Sequence, residues 1–372
     1  MIGSPDNLDV LIIGGGPAGL AAAIAARQKG FDVVVMDGMA PPIDKACGEG
    51  MMPETLAVLN QLGIKFQAGD GQHFRGISFV QPDAAVVADF PEGQAIGLRR
   101  PVLHQRLLER AQACGVRFLW NTPLSSIDGN IVRFSRGALR ANWIIGADGH
   151  GSRVRRWSGL DSTAAFTQRF ATRRHYHIAP WSSYAEVHWS KRAQAYVTPI
   201  GAEEVCVVVM AENRRHASFE RALTQMPRLN EKLSGAYLSS RERGAVTAMR
   251  LLHRVYRNNV ALLGDASGGV DAITGEGLRM AFRQALALAD AMANGELSQY
   301  QRAHRQLARR PLLMGNLLLW LGRNPRIRAR VICAMQRRPE LFARILSAHV
   351  GDATPAQLLS AGASLGWQLL AA

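Results

Sequence analysis

Residues 9–37 read DVLIIGGGPAGLAAAIAARQKGFDVVVMD. Asp9 to Ile13 is a short apolar run rich in β-branched residues, the composition of a buried strand. Ala18 to Lys29 is an alanine-rich helix, and Gly30 suits its left-handed cap. Phe31 to Met36 reads as a second buried strand. Strand, glycine turn, helix and strand make the βαβ unit of a parallel sheet. Within the turn, Gly14, Gly16 and Gly19 satisfy GxGxxG. The first glycine permits the tight turn, the second lets backbone approach a pyrophosphate, and the third lets helix pack on strand. Pro17 and Ala18 open the helix, whose N-terminus offers free N–H groups and a positive dipole end to phosphates. Asp37 closes the second strand, placed to accept hydrogen bonds from a ribose hydroxyl. The stretch predicts a dinucleotide site, the alternative being a purely structural glycine turn.

Working outward, 53–62 and 99–114 read as helices, 116–120 as a strand, and Trp143-Ile144-Ile145 as a strand ending at Gly146. Residues 165–210 change character. YAEVHWS, AQAYVTP and EVCVVVM are short, alternating and β-rich, which predicts an antiparallel platform. A strand at 259–263 and a helix at 275–294 then return to the first pattern. The expected class is α/β, with a Rossmann-like first domain, an inserted antiparallel β-sheet substrate domain and a helical C-terminal region. The expected boundaries are 1–160, with an excursion at about 70–98, then 161–250, 251–297 and 298–372.

The chain of 372 residues is 48% hydrophobic and 20% charged, which excludes a disordered or fibrous protein. Cys47, Cys114, Cys206 and Cys333 form no CxxC pair, so neither a disulfide framework nor a metal site is expected. A reducing, cytoplasmic compartment fits this usage. MIGSPDNLDV lacks the basic start of a secretory signal, and PLLMGNLLLWLG at 311–322 is too short to span a membrane. The net charge is +15. No helix-turn-helix, zinc-finger or RNA-binding signature accompanies it, so no nucleic-acid partner is expected. An arginine-rich solvated surface is one reading of the charge. A basic face towards an acidic carrier protein, or towards the inner face of a membrane, is the other. The same choice applies to the leucine- and arginine-rich C-terminal helices, either core helices with a basic outside or a surface resting on lipid.

Two further stretches carry chemistry. One is GADGHGSRVR at 146–155, with Asp148; the other is GDA at 264–266, with Gly264 and Asp265. Each puts an aspartate among small residues after a strand, where a carboxylate can bind a ribose or ribityl hydroxyl. Together with GxGxxG they occur in the order and spacing seen in FAD-dependent flavoproteins of the p-hydroxybenzoate hydroxylase fold, which the chain resembles. That superfamily includes aromatic hydroxylases, flavin halogenases and geranylgeranyl reductases. The resemblance implies FAD bound in extended form, its pyrophosphate on the glycine turn and its adenosine ribose on Asp37. It places Asp265 by the ribityl chain or the pyrophosphate, and the turn Gly275-Glu276-Gly277-Leu278 by the pyrimidine end of the flavin. Arg100 and Leu103 resemble an RxxL whose arginine lies near FAD; a surface helix arginine is the alternative.

The loop KACGEG (45–50) resembles the cysteine–glycine pair of the geranylgeranyl reductase branch, where it runs beside the flavin ring. GDASGGVDAITGEGLRMA resembles that branch too, with Gly268 in place of the hydroxylase histidine and Arg279 in place of its asparagine; Ala272 departs from both patterns, which usually have proline. Cys47 is then a nucleophile or a flavin attachment point, a small residue packed on the flavin or the substrate beside Gly48, or an inert thiol. Lys45 is placed to lower its pKa. Glu49 is a proton donor or a solvated carboxylate. On the platform, Tyr184, Glu186 and His188 share one strand face, with Val187 and Trp189 opposite. His188, Tyr196 and Pro199 are candidates for the substrate pocket, against ordinary sheet packing.

The favoured expectation is an NAD(P)H-dependent monooxygenase of secondary metabolism, acting through a flavin C4a-hydroperoxide on an apolar aromatic, polyketide-like or isoprenoid small molecule. NAD(P)H would visit as a transient reductant, since no second GxGxxG provides it a domain. The alternative is a geranylgeranyl reductase-like enzyme that reduces carbon–carbon double bonds. A non-catalytic flavin-binding protein is a third reading. The sequence lacks the WxWxIP segment of flavin halogenases.

Overall fold

The computed structural model describes residues 7–82, 84–135, 137–162 and 165–350. The apolar strand Asn7–Ile13 has parallel neighbours on both sides, Val33–Met36 and Gly137–Gly146. A strand paired on both edges and covered on both faces has no solvent side, which is why it reads as a continuous apolar run. Val10, Leu11 and Ile12 are fully buried. The parallel sheet continues through Arg117–Leu119 on one side and Val260–Leu262 on the other. Gly137–Gly146 starts six residues before the segment that looked like a strand from sequence. Its first half pairs antiparallel with Ile131–Phe134, which pairs in turn with Leu124–Asp128.

Helix Pro17–Gln28 lies against Gly277–Ala293 and Arg100–Ala113. Its alanines bury almost completely, and their small side chains permit the close approach.

The second large sheet is the platform. Ala165–His177, Glu204–Ala211, Ala193–Gly201 and Tyr184–Trp189 run antiparallel in that spatial order, and Arg243–Arg250 pairs with the first. Gly76–Val80 then adds in parallel to Tyr184–Trp189, followed by Ala85–Asp89. A small sheet of Gly50–Met51, Ala95–Gly97 and Gln72–Phe74 ties the segment after KACGE to the platform. Gly97 has to be glycine there, because a Cβ would overlap the carbonyl oxygen of Pro199.

Three helices, Leu297–Arg323, Pro325–Arg337 and Pro339–Val350, complete the described chain. Val331, Ile332, Met335, Phe342 and Leu346 bury against Phe74, Val86 and Ala88 of the excursion strands. The helical expectation for 351–370 falls outside the described residues.

Candidate active site

A cavity of about 1100 Å³ begins at the glycine turn, passes the 45–50 loop and runs under the platform to the C-terminal helices. That exceeds the roughly 300–1,000 Å³ of ordinary small-molecule pockets, so it has room for a cofactor and a substrate together.

At the turn, Gly14 has φ +115°, and a Cβ there would overlap the backbone of Ala147. A Cβ on Gly19 would overlap the Gly14 carbonyl, whereas one on Gly16 would meet nothing within 4 Å because it points into the cavity. The first N–H groups of helix Pro17–Gln28 have no intrahelical partner, and no side chain caps them. Asp37 accepts hydrogen bonds from Gly15 N–H (2.7 Å) and Met39 N–H (2.8 Å), which hold its carboxylate at the cavity edge.

His104 went unremarked in the sequence. It is fully buried and donates Nε2–H to the Gly15 carbonyl at 2.9 Å. Burial lowers its pKa, aided by Arg100 and against the pull of the Gly15 bond and Asp37, so the imidazole is neutral at pH 7. His104→Ala removes this support. A buried hydrogen bond of about 1–2 kcal/mol implies roughly a 5- to 30-fold loss in FAD affinity, measurable by fluorescence titration of the apoprotein.

Gly264 and Asp265 reach the cavity beside the turn, and Lys45 pairs with Asp265 at 2.6 Å. Enclosure by the cavity walls would raise the Asp265 pKa, although its side chain is half exposed to the cavity, but the Lys45 ammonium outweighs it, with help from His150 and Arg100, and holds it low. Lys45 is thus the partner of Asp265, not of the Cys47 thiol. Asp148 also reaches the cavity, but its oxygens accept from Ser152 Oγ and from the N–H groups of Arg153 and Val154. Its carboxylate takes the first two N–H groups of the short helix Arg153–Trp157 and the hydroxyl of its N-cap, Ser152.

Gly275 (φ +70°), Gly277 and Leu278 line the wall where helix Gly277–Ala293 begins. The helix starts two residues later than its sequence suggests, because Gly275 takes the left-handed conformation. Glu276 does not border the cavity. Its side chain is buried against Arg279, and His349 lies 3.6 Å away.

Cys47 and Gly48 form the wall between the turn and the platform. Arg100 Nη1 lies 3.9 Å from Cys47 Sγ, and the buried Nε of Arg100 has no partner among the described residues. Glu49 is no solvated carboxylate. It is 3% exposed and accepts from Arg100 N–H (2.9 Å), Arg173 Nη1 (3.1 Å) and His175 Nε2 (2.7 Å).

Glu49, His175 and Cys206 bring their donor atoms within 4.8 Å of one another. Burial and the Glu49 charge push the Cys206 thiol well above its ordinary pKa, so it stays protonated. With Glu49 already accepting from Arg100 N–H, Arg173 and His175, and a guanidinium at 3.1 Å, the cluster is a hydrogen-bonded network around a buried carboxylate.

The far end of the cavity is apolar, with Phe79, Val187, Tyr196, Met335 and Phe342 among its walls. Val187 pairs directly across from Tyr196, so the two share a sheet face, and that face looks into the cavity. Burial pushes the Tyr196 hydroxyl above its ordinary pKa and keeps it neutral. His188 points the other way and pairs with Glu186 at 2.7 Å. Alternation separated the two strand faces correctly; Val187 supplies apolar cavity wall from the other face, while Glu186, on the face of His188, also borders the cavity. Pro199 is also outside, its carbonyl packed on Gly97.

These residues fit FAD. The glycine cradle is open at Gly16, Gly48 and Gly277, where a Cβ would meet no protein atom. Asp37 and Asp265 stand along the same cavity, and Arg100 holds an unpartnered donor. The comparisons with known proteins agree. The chain is 28% identical over 313 residues to the menaquinone reductase of Mycobacterium tuberculosis, covering 73% of each chain. It is 28% identical over 296 residues to the digeranylgeranylglycerophospholipid reductase of Methanosarcina mazei, covering 73% of this chain and 72% of that one. Among solved structures, the flavin-dependent brominase Bmp2 superposes with a TM-score of 0.78 at 18% identity, over 92% of this chain and 93% of the other. That degree of likeness shows the fold, not the chemistry. The FAD binding domain family matches residues 7–297. The chain belongs to this family, and it is an FAD-dependent oxidoreductase of the p-hydroxybenzoate hydroxylase fold.

Proposed function

We propose that the enzyme reduces carbon–carbon double bonds in an isoprenoid chain, with NAD(P)H as the source of electrons. The observation that carries this reading is the continuity of the cavity from the glycine turn into an apolar channel under the C-terminal helices. A long unbranched-to-methyl-branched hydrocarbon has no polar group to place, and this end offers mostly aliphatic and aromatic wall. Relatives named as menaquinone and digeranylgeranylglycerophospholipid reductases support it over oxygenation.

When bound, FAD supplies two electrons and one proton to the double bond as a hydride equivalent. The chain does the rest. Asp37, Asp265 and the glycine turn hold the cofactor, while Val187, Tyr196 and Phe342 hold the hydrocarbon and exclude water. Anaerobic incubation of the reduced holoenzyme with a polyprenyl quinone or a geranylgeranyl lipid should yield a product heavier by two hydrogens. A product that gains an oxygen atom in air, with no anaerobic reduction, would establish monooxygenation instead.

The same reading extends to a lipid surface. No helix among the described residues is long and apolar enough to cross a membrane. Leu313, Leu317 and Trp320 nevertheless stand exposed on one helix, and Leu317 and Trp320 also border the cavity. With a net charge of +15, the protein should float with anionic vesicles at low salt and be released at high salt. Leu313→Glu should weaken that binding, and flotation that ignores both changes would count against a lipid-facing mouth.

A further inference from the structure

Strand Ala165–His177 carries Arg169, Ala171 and Arg173 on one face. Ala171 borders the cavity, and Arg173 holds Asp44 and Glu49 of the loop beside it. Arg169 reaches a second stretch of wall, 269–277, all of which lines the cavity except Asp271 and Glu276. We propose that Arg169 is a positioning residue of the cofactor site. Through Asp271 it fixes this wall against the platform, and with it the approach of the N-terminus of helix Gly277–Ala293 to the flavin. The inference needs FAD but no particular substrate, so it holds for reduction and oxygenation alike.

Arg169 Nη1 donates to Asp271 Oδ1 at 3.0 Å, and both side chains are almost fully buried. The same Oδ1 accepts Ile273 N–H at 2.9 Å. The Asp271 carbonyl accepts from Thr274 N–H (3.2 Å) and Thr274 Oγ1 (3.1 Å). Asp271 therefore caps the short 3-10 turn Ala272–Thr274, which runs through Gly275 into the helix. At its other end the guanidinium is fixed by Gln194, whose Oε1 accepts from Arg169 Nη2 at 2.7 Å and from the Tyr196 hydroxyl at 3.4 Å. One guanidinium thus joins the turn to the apolar wall that carries Tyr196.

Two other ties hold the ends of the stretch. Gly269 and Arg250 exchange backbone hydrogen bonds at 3.1 Å, and His349 donates to the Thr274 carbonyl at 3.1 Å. Between them the link to the platform runs through the Asp271 side chain. A buried ion pair adds little stability that a well-packed apolar pair would not. What a guanidinium adds is direction, since its planar fork holds two partners at fixed angles. Direction matters here because a helix N-terminus stabilises nearby negative charge, and a reduced flavin carries more of it. The resemblance sets the pyrimidine end of the flavin beside 275–278. A turn that recedes from it weakens that stabilisation and lowers the flavin's reduction potential.

Arg169→Met alone strands a buried carboxylate and can unfold the chain, so the test uses Arg169→Met combined with Asp271→Asn. This pair of changes leaves no unpaired charge and keeps an oxygen for Ile273 N–H. In the apoprotein, hydrogen–deuterium exchange over 270–278 should rise roughly 10-fold, as expected for loss of a hydrogen bond to a charged group, while 9–36 exchanges as in wild type. FAD affinity should fall roughly 10-fold by fluorescence titration. The midpoint potential of the holoprotein should become more negative, although the net charge removed is zero. Adding Ala272→Pro separates position from packing. Asp271 (φ −61°, ψ 136°) already has the extended backbone that a following proline requires, and Ala272 opens its turn, where proline fits. The ring should stiffen the turn and return exchange, affinity and potential most of the way to wild type. Wild-type exchange over 270–278 in the double variant overturns the proposal, as does a loosened turn with an unchanged potential. A loss that Ala272→Pro leaves unrestored overturns it too. Should FAD binding fall too far for a potential to be measured, recovery of binding with Ala272→Pro decides in its place.

Discussion

Gly19→Ala is expected to leave the protein without bound flavin. A Cβ at this position overlaps the carbonyl oxygen of Gly14, which is backbone and cannot rotate away. Gly14 is hemmed in on its other side, because the space its own Cβ would take is filled by the Ala147 backbone at the end of the neighbouring strand. The strain therefore spreads through strand Asn7–Ile13, helix Pro17–Gln28 and the Gly146–Asp148 turn together. Overpacking of this kind costs about 1–3 kcal/mol, and the helix N-terminus moves off the position that cradles a pyrophosphate. FAD affinity should fall at least ~100-fold, about 2.7 kcal/mol, with a lower Tm for the apoprotein. Gly16→Ala separates the two effects. Its Cβ meets no protein atom, so the apoprotein should keep its Tm while FAD affinity still drops. Visible absorbance per protein after purification and a fluorescence titration read both variants. A yellow Gly19→Ala protein with wild-type affinity would falsify this account of the turn.

The nucleotide-binding part was legible in the sequence because its signals are local. Glycine spacing, a continuous apolar run and an acid at the strand end all lie within residues 9–37. The platform strands were legible as strands for the same reason, through alternation. Pairings between distant segments were not. Nothing local says that Gly76–Val80 runs parallel to Tyr184–Trp189, since that register depends on a contact across about a hundred residues. The network around Glu49 was missed on the same ground, because its partners Arg173 and His175 lie more than 120 residues away. A signal did exist. Arg173 and His175 sit two apart in a β-rich stretch, on the face shared with Ala171, and two buried polar groups at that spacing call for a buried counter-charge. His104 had a similar signal, lying beside Leu103 and ahead of Leu107 on the buried face of its helix.

Arg173→Leu is the second large effect. Arg173 is 2% exposed and donates to both Asp44 and Glu49. Its loss leaves buried Glu49 without its guanidinium and Asp44 with Arg243 alone, and breaking a buried ion pair from one side costs about 3–5 kcal/mol. The next residue provides the control. Arg174 points to the opposite face, paired with the exposed Glu220 and with Glu242, so Arg174→Leu should cost no more than about 1 kcal/mol. The pH dependence has a definite sign. Burial would raise the Asp44 pKa, but hydrogen bonding to Arg173 and its charge, with Arg243 and His175, hold it below the ordinary value. A carboxyl with a depressed folded pKa contributes stability above its unfolded pKa and loses it as pH falls through the folded one. The gap in unfolding free energy between wild type and Arg173→Leu should thus be widest at neutral pH and narrow below about pH 4. Denaturant titrations at several pH values measure it, and a gap independent of pH would show that Arg173 acts through packing alone. The consequence reaches the cofactor, because Asp44 and Glu49 bracket Cys47 and Gly48 on the cavity wall. A loop no longer anchored to the platform cannot keep that wall in place, so the variant should also bind FAD more weakly at a pH where it is still folded.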